Sequence, residues 1–282
     1  MMSYDGFHVR IMEPQDLVLA TEWAAAEGWN PGHADSACFA TVDSQGLLLG
    51  ALDGKAATSI SVVNYDAGFA FLGFYIVRPD LRGRGFGLRT WNAAIAHAGQ
   101  RTIGLDGVAA QQENYKKSGF VLAYRNIRFG GFPKHPTREP PDIVPLTAVP
   151  FAAVAADDAR VFPAPREAFL RSWISAPGHI GRALMRDGSL AAWGVIRPCR
   201  QGSKIGPLVA DDRAAAEKLF ASLVAAAGGE VFLDVPEPNR DAVALALAHG
   251  LAPVFETARM YAGAIRAIAL DRVFGVTTLE QG

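Results

Sequence analysis

Residues 74–91 read FYIVRPDLRGRGFGLRTW, and the rest of the chain is best read outward from them. A β-branched strand end (Ile76, Val77) passes through Pro79 into Arg82-Gly83-Arg84-Gly85-Phe86-Gly87. Leu88, Trp91, Ile95 and Ala98 then fall on one face of a helix over 87–98. Glycines let a backbone approach a ligand closely and adopt positive φ. The first turn of a helix adds unpaired N–H groups and the positive end of a dipole. With Arg82 and Arg84 as charge-assisted donors, the segment suits a phosphate or pyrophosphate. A Walker A loop needs Gly-Lys-Ser/Thr, which is absent, and a dinucleotide fingerprint belongs early in a βαβ unit, not after a series of hairpins. An RG-rich nucleic-acid tract would be longer. The reading that needs no ligand is a strand-to-helix turn with two solvated arginines.

Upstream, FHVRIM (7–12) alternates as a first strand, and Pro14 opens a helical pattern that EGWNPG (27–32) ends. Strand-like runs at 46–52, 56–64 and 68–77 are separated by the turn signals DGK and YDAG. Downstream come a short strand at 102–105, a short helix at 111–118 and a strand at 119–127. Residues 131–145 (GFPKHPTREPPDIVP) hold five prolines and no amphipathic period, the mark of a semi-rigid linker. Beyond it, strands are expected at 183–186, 190–197, 205–209, 231–235 and 257–262. Helices are expected at 214–227 and 240–249, the latter with Asn239 as N-cap. No period is legible from there to Gly282. The two halves share an order of elements. The expectation is an α/β (α+β) protein of two similar domains, 1–130 and 146–282, joined by 131–145. Each would be a mixed, mainly antiparallel twisted sheet with helices on both faces.

The 282 residues are 50% hydrophobic and 20% charged with a net charge of −1. That supports a large core, excludes global disorder and lacks the basic excess of a nucleic-acid binder. Cys38 and Cys199 build neither a disulfide scaffold nor a four-ligand zinc site, and the histidines lack ligand spacing, so no metal is expected. Ser/His/Asp catalysis has no G-x-S-x-G to support it. No apolar run reaches the ~20 residues that span a bilayer, and the first residues do not resemble a signal peptide. No membrane partner and a cytoplasmic location are the expectations.

R-x-x-G-x-G after a strand ending in V-x-P resembles motif A of the GNAT superfamily of N-acetyltransferases. The resemblance implies that the loop cradles the pyrophosphate of acetyl-CoA, and that the preceding strand splays so that its backbone pairs with the pantetheine arm. Tyr75, Ile76 and Val77 would then line the pantetheine. Arg82, Gly83, Arg84, Gly85, Phe86, Gly87 and Leu88 would hold the pyrophosphate. Tyr115-Lys116-Lys117-Ser118-Gly119-Phe120 resembles the family's Y-x-x-x-G-F signature. That makes Tyr115 either the general acid toward the leaving thiolate or a packing aromatic. The family's usual Asn before this tyrosine is replaced by Val108-Ala109-Ala110, with Gln111 and Gln112 nearby; Asn114 stands beside Tyr115 as the candidate cofactor contact.

The same resemblance implies a carboxylate or a water chain that takes the amine's proton. FAFLGFYIV (69–77) has no carboxylate, which leaves Asp106 and Glu27. Asp106, in Leu-Asp-Gly, reads also as a strand-end turn residue, and Glu27 as a solvated helix-end residue. Residues 27–32 fall where the family places a loop over the acceptor, so Glu27, Trp29 and Asn30 are the acceptor-side candidates. Trp29 also suits packing against the sheet.

In the second half, Ile205–Asp212 runs into a helix without the R-x-x-G-x-G loop, and Asp211 and Asp212 stand where a pyrophosphate would sit. Asn239 and Ala242 keep an N-x-x-A pattern, but Ala246 takes the place of Tyr115. WGVIRPCR (193–200), IGPLVADD (205–212), LDVPEPN (233–239) and ETARMY (256–261) resemble YitH-like tandem GNAT proteins, as do EGWNPG (27–32) and residues 104–120. The likeness extends over roughly residues 7–265. The second half is then either a wall of the acceptor site or a partner that completes the sheet and covers an edge.

The leading expectation is an N-acetyltransferase that passes the acetyl group of acetyl-CoA, its cosubstrate, to a primary amine of a small molecule in a ternary complex. Two others stay open: a CoA or acyl-CoA-binding sensor without turnover, and a protein-modifying enzyme whose second half docks its partner.

Overall fold

The computed structural model describes residues 6–133 and 142–282. The first half runs β1 (Phe7–Ile11), α1 (Pro14–Ala26), α2 (Asp35–Phe39), β2 (Leu47–Leu52), β3 (Lys55–Asn64), β4 (Phe69–Val77), α3 (Phe86–Ala98), β5 (Thr102–Val108), α4 (Gln112–Lys117) and β6 (Val121–Gly131). The second runs β7 (Ile143–Pro145), α5 (Phe151–Val161), α6 (Glu167–Ser175), β8 (Ile180–Arg186), β9 (Ser189–Pro198), β10 (Ser203–Ala210), α7 (Arg213–Ala227), β11 (Val231–Pro236), α8 (Arg240–Ala248), β12 (Ala252–Ala262) and β13 (Val273–Gly275).

The strands form one sheet in the order β1-β2-β3-β4-β5-β12-β6-β11-β10-β9-β8-β7, with β13 on β10. Neighbours are antiparallel except β4–β5 and β10–β11. The expected mixed, mainly antiparallel architecture is present, with one feature that alternation cannot report. The halves exchange their late strands: β12 lies between β5 and β6, and β6 lies between β12 and β11.

Local chemistry explains most elements. Pro14 begins α1, and Asp16 accepts from the Glu13 N–H at 2.8 Å. Asn239 caps α8 as expected, accepting from Ala242 N–H at 3.1 Å. Apolar faces of α7, α8, β10 and β11 close one core around Leu219, Phe220 and Leu245, and α3 closes another with Ile60, Leu72 and Ala94. A third core spans the two halves and joins Phe39 and Phe74 to Trp173 and Trp193.

Several elements differ from the sequence reading. β5 continues past Leu105 to Val108, so Asp106 is inside a strand and not in a turn. Helices α5 and α6 were not legible. Asp157 and Asp158 interrupt the apolar face of α5 and are buried there by pairing with Arg272 and Arg166. Within 131–145, Gly131 ends β6 and Ile143–Pro145 form β7. Residues 134–141 of the expected linker lie outside the described residues. Residues 276–282 are buried: Tyr65 Oη donates to the Gln281 carbonyl at 2.9 Å, and Arg166 Nη1 to the Gly282 carbonyl at 3.0 Å.

Candidate active site

β4 and β5 pair only where Phe69–Leu72 face Thr102–Leu105. Past that point β4 bulges. Its register on β3 shifts between Ser59 and Ser61, Phe74 takes φ of 49°, and Ser59 Oγ donates to the Phe74 carbonyl at 2.8 Å. A bulge bends a strand and re-aims its side chains. The strands part, and two adjoining spaces open whose walls share Trp29, Tyr75, Val108, Gln111 and Phe255.

The outer space is the glycine loop's. Gly85 precedes α3 with φ of 85°, in the left-handed region that favours glycine. The first intrahelical donor is Arg89, bonded to the Gly85 carbonyl at 3.3 Å. The N–H groups of Gly87 and Leu88 therefore have no acceptor within the helix. Ile76, Val77, Arg82, Gly83, Leu88 and Asn114 are in the wall with them. The structure thus brings together most of the residues expected around a pyrophosphate and its adjoining arm. Two are placed differently. The Phe86 ring is buried and stacks on Phe7 at 4.9 Å, so only its main chain faces the cleft, and the Arg84 guanidinium folds over that ring at 5.3 Å.

Glu27 is also at this outer space, where its carboxylate accepts from Arg82 Nη2. It is not in the wall of the inner space. Asn30 does not contact the cleft: its amide donates to the Gln201 carbonyl at 2.9 Å and accepts from the Gln201 N–H at 2.9 Å. It clasps the second half, a role its family position did not suggest. Trp29 is in the shared wall, and its carbonyl accepts from Arg128 at 2.7 Å.

The inner space is small and largely apolar, with Leu72, Phe74, Leu105 and Leu279 in its wall. Tyr115 lines it and stacks on Trp91 at 5.6 Å. Burial, with Tyr75 nearby, holds its phenol well above the ordinary tyrosine range, so it is protonated and able to donate. Asp106 is there too, but its oxygens are engaged. Arg259 reaches them at 2.9 and 2.7 Å, and the Asn126 amide at 2.8 Å.

The second half supplies part of this wall. Phe255 and Thr257 come from β12, and Leu279 and Glu280 from the buried final segment. Thr257 Oγ1 is buried without a hydrogen-bond partner. Sequence reading found ETARMY as a strand but gave no sign that it pairs with β5. At the matching helix end of the second half, Asp212 caps α7, accepting from Ala215 N–H at 2.8 Å, and pairs with Arg186 at 2.7 Å. No cluster able to hold a metal ion occurs among the described residues, and no helix among them is long and apolar enough to cross a membrane.

Comparison with known proteins fits this geometry. Residues 15–120 match the family model described as acetyltransferase (GNAT) family, and residues 154–275 the one described as acetyltransferase (GNAT) domain. The chain is 34% identical over 271 residues to holothin acyltransferase of Pseudoalteromonas sp. (strain SANK 73390), covering 95% of this chain and 92% of that protein. An acetyltransferase candidate from Pyrococcus horikoshii shares the fold across 100% of this chain and 98% of its own, with a TM-score of 0.85 at 22% identity. A tandem GNAT protein from the clavulanic acid biosynthesis pathway does so across 92% of this chain and 99% of its own, with a TM-score of 0.61 at 16% identity. The parted strands, the glycine loop and both matched segments lead to one conclusion: the chain belongs to the GNAT acyltransferase family and carries two GNAT domains in tandem.

Proposed function

We propose that this acyltransferase moves an acetyl group from acetyl-CoA to the primary amine of a small, largely apolar molecule, by direct attack in a ternary complex. The observation that supports it is the wall that the glycine-lined outer space shares with a small apolar pocket holding Tyr115. A cradle of bare backbone is what the donor requires: nothing within 4 Å would meet a Cβ at Gly83 or Gly85, so both face open space. The N–H groups of Gly87 and Leu88, with Arg82, would hold the pyrophosphate, while Tyr75, Ile76, Val77 and Asn114 would flank the arm. Acetyl-CoA supplies an activated thioester carbonyl. The amine lone pair attacks that carbon, the C–S bond breaks, and the Tyr115 hydroxyl gives its proton to the departing sulfur.

We retain 1–130 and 146–282 as the two units of the chain, joined by 131–145, and assign the donor site to the first. Titration calorimetry with acetyl-CoA tests this reading. One site in the wild type and none in Gly85→Glu is the expected result, because a carboxylate there occupies and repels the pyrophosphate position. No binding by the wild type would overturn it, and two sites would overturn the assignment to one half. Holothin is the first acceptor to try. Binding without turnover of any amine would favour the acyl-CoA sensor.

A further inference from the structure

Resting on that reading, we propose that Glu280 is the base that takes the proton from the acceptor amine. Its residue is only 4% exposed, yet it lines the inner pocket together with Tyr115. Among the described residues, no hydrogen-bond donor or ion-pair partner engages its carboxylate. The other carboxylates near the cleft are committed: Asp106 to Arg259 and Asn126, Glu27 to Arg82 at the outer end.

The main chain around Glu280 is held on both sides. Gly73 lies at the β4 bulge so close that a Cβ there would stand 2.0 Å from the Glu280 carbonyl. Gln281 N–H donates to Thr278 Oγ1 at 2.9 Å, and its amide to the Phe39 carbonyl at 3.3 Å. A base fixed by its backbone, with a free carboxylate, can meet an amine without giving up an existing bond.

The charged groups acting on Glu280 come from four elements: Lys204 on β10, Arg128 on β6, Arg197 on β9 and Asp35 on α2. Asp106 and Tyr115 share its pocket. Burial raises its proton affinity above that of an ordinary glutamate, although the three cations oppose this. A carboxylate so adjusted is a better proton acceptor than a solvated one. In the step, the carboxylate takes a proton from the amine nitrogen as the N–C bond forms. The C–S bond then breaks, and the thiolate receives the Tyr115 proton. One proton enters at Glu280 and one leaves Tyr115, and exchange with solvent resets both.

The test uses the full chain, acetyl-CoA, and 2-phenylethylamine, tyramine and tryptamine as probe amines. We expect Glu280→Gln to lower kcat by roughly 10²-fold or more and to abolish the acidic limb of the kcat–pH profile. Its acetyl-CoA affinity, read by calorimetry, should stay within about twofold, which shows an intact fold and donor site. Lys204→Met removes a charge that favours ionised Glu280, so the limb should move to higher pH. Two results would overturn the proposal: kcat of Glu280→Gln within about threefold of wild type, or a limb unmoved in both variants. A wild type that does not bind acetyl-CoA, or binds it and acetylates no probe, would instead bring down the underlying reading.

Discussion

Asp35 on α2 and Arg197 on β9 belong to different halves of the chain, yet their charged groups meet at 2.8 Å with neither side chain more than 1% exposed. Arg197 also lies over the Trp173 ring at 4.5 Å. Around the pair are Arg128–Asp234, also buried, and Lys204. Dehydrating these charges is costly, so their value lies in pairing, which fixes how the segment after α1 meets the second half.

Arg197→Met alone should therefore destabilise the protein by about 3–5 kcal/mol, since it strands Asp35. Asp35→Leu with Arg197→Met should cost much less than either single change. Urea unfolding of the three variants checks this, and a double mutant as unstable as the sum of the singles would refute it.

Tyr115→Phe keeps the ring stacked on Trp91 and removes only the hydroxyl. A general acid is worth roughly 10²–10⁴-fold, so kcat should fall by at least about 10²-fold with acetyl-CoA affinity unchanged. Wild-type turnover in this variant would reduce Tyr115 to packing.

Thr257 lines the inner pocket, and its Oγ1 is buried without a partner. Thr257→Val should leave folding stability unchanged or raise it by about 1 kcal/mol, because it removes an unsatisfied buried hydroxyl. If the acceptor satisfies that hydroxyl, its KM should rise by about tenfold, equivalent to about 1.4 kcal/mol. Steady-state kinetics with a turned-over amine, beside thermal melts, reads both effects.

His179 is largely buried, its Nδ1 2.7 Å from the Trp173 carbonyl, and burial brings its pKa down to about 4. The unfolded chain takes up this proton near pH 6.5, before the folded protein does. Stability is thus complete above that value and lost as pH falls from 6.5 toward 4. The loss should be about 2 kcal/mol between pH 7 and pH 5. Urea titrations at the two pH values check it, and His179→Gln should flatten that difference.

The outer space was largely legible in the sequence, because a strand, a glycine turn and a helix lie within one short run and their geometry is local. Gly83, Gly85, Gly87 and Arg82 could be placed for that reason. The inner pocket was not. Phe255 and Thr257 reach it through a strand pairing with β5, and Glu280 through a segment with no apolar period. Asn30 and Glu27 adjoin Trp29 in sequence, but a φ of 52° at Asn30 and the Arg82 contact send the three to different places. Periodicity reports which face of an element is buried, not which distant strand lies beside it. The second half accordingly proves to be a wall of the pocket as well as cover for an edge.

The interleaving of β6 and β12 also has a bearing on biosynthesis. When β6 leaves the ribosome, both of its eventual neighbours, β11 and β12, are still untranslated. The first half cannot finish its own sheet as it emerges, and its pairing must wait for the end of translation, the signature of a high-contact-order, slow-maturing topology. Separate expression of the two halves would give each a strand whose native neighbours are on the other piece. Activity from such fragments should appear only when both are present together.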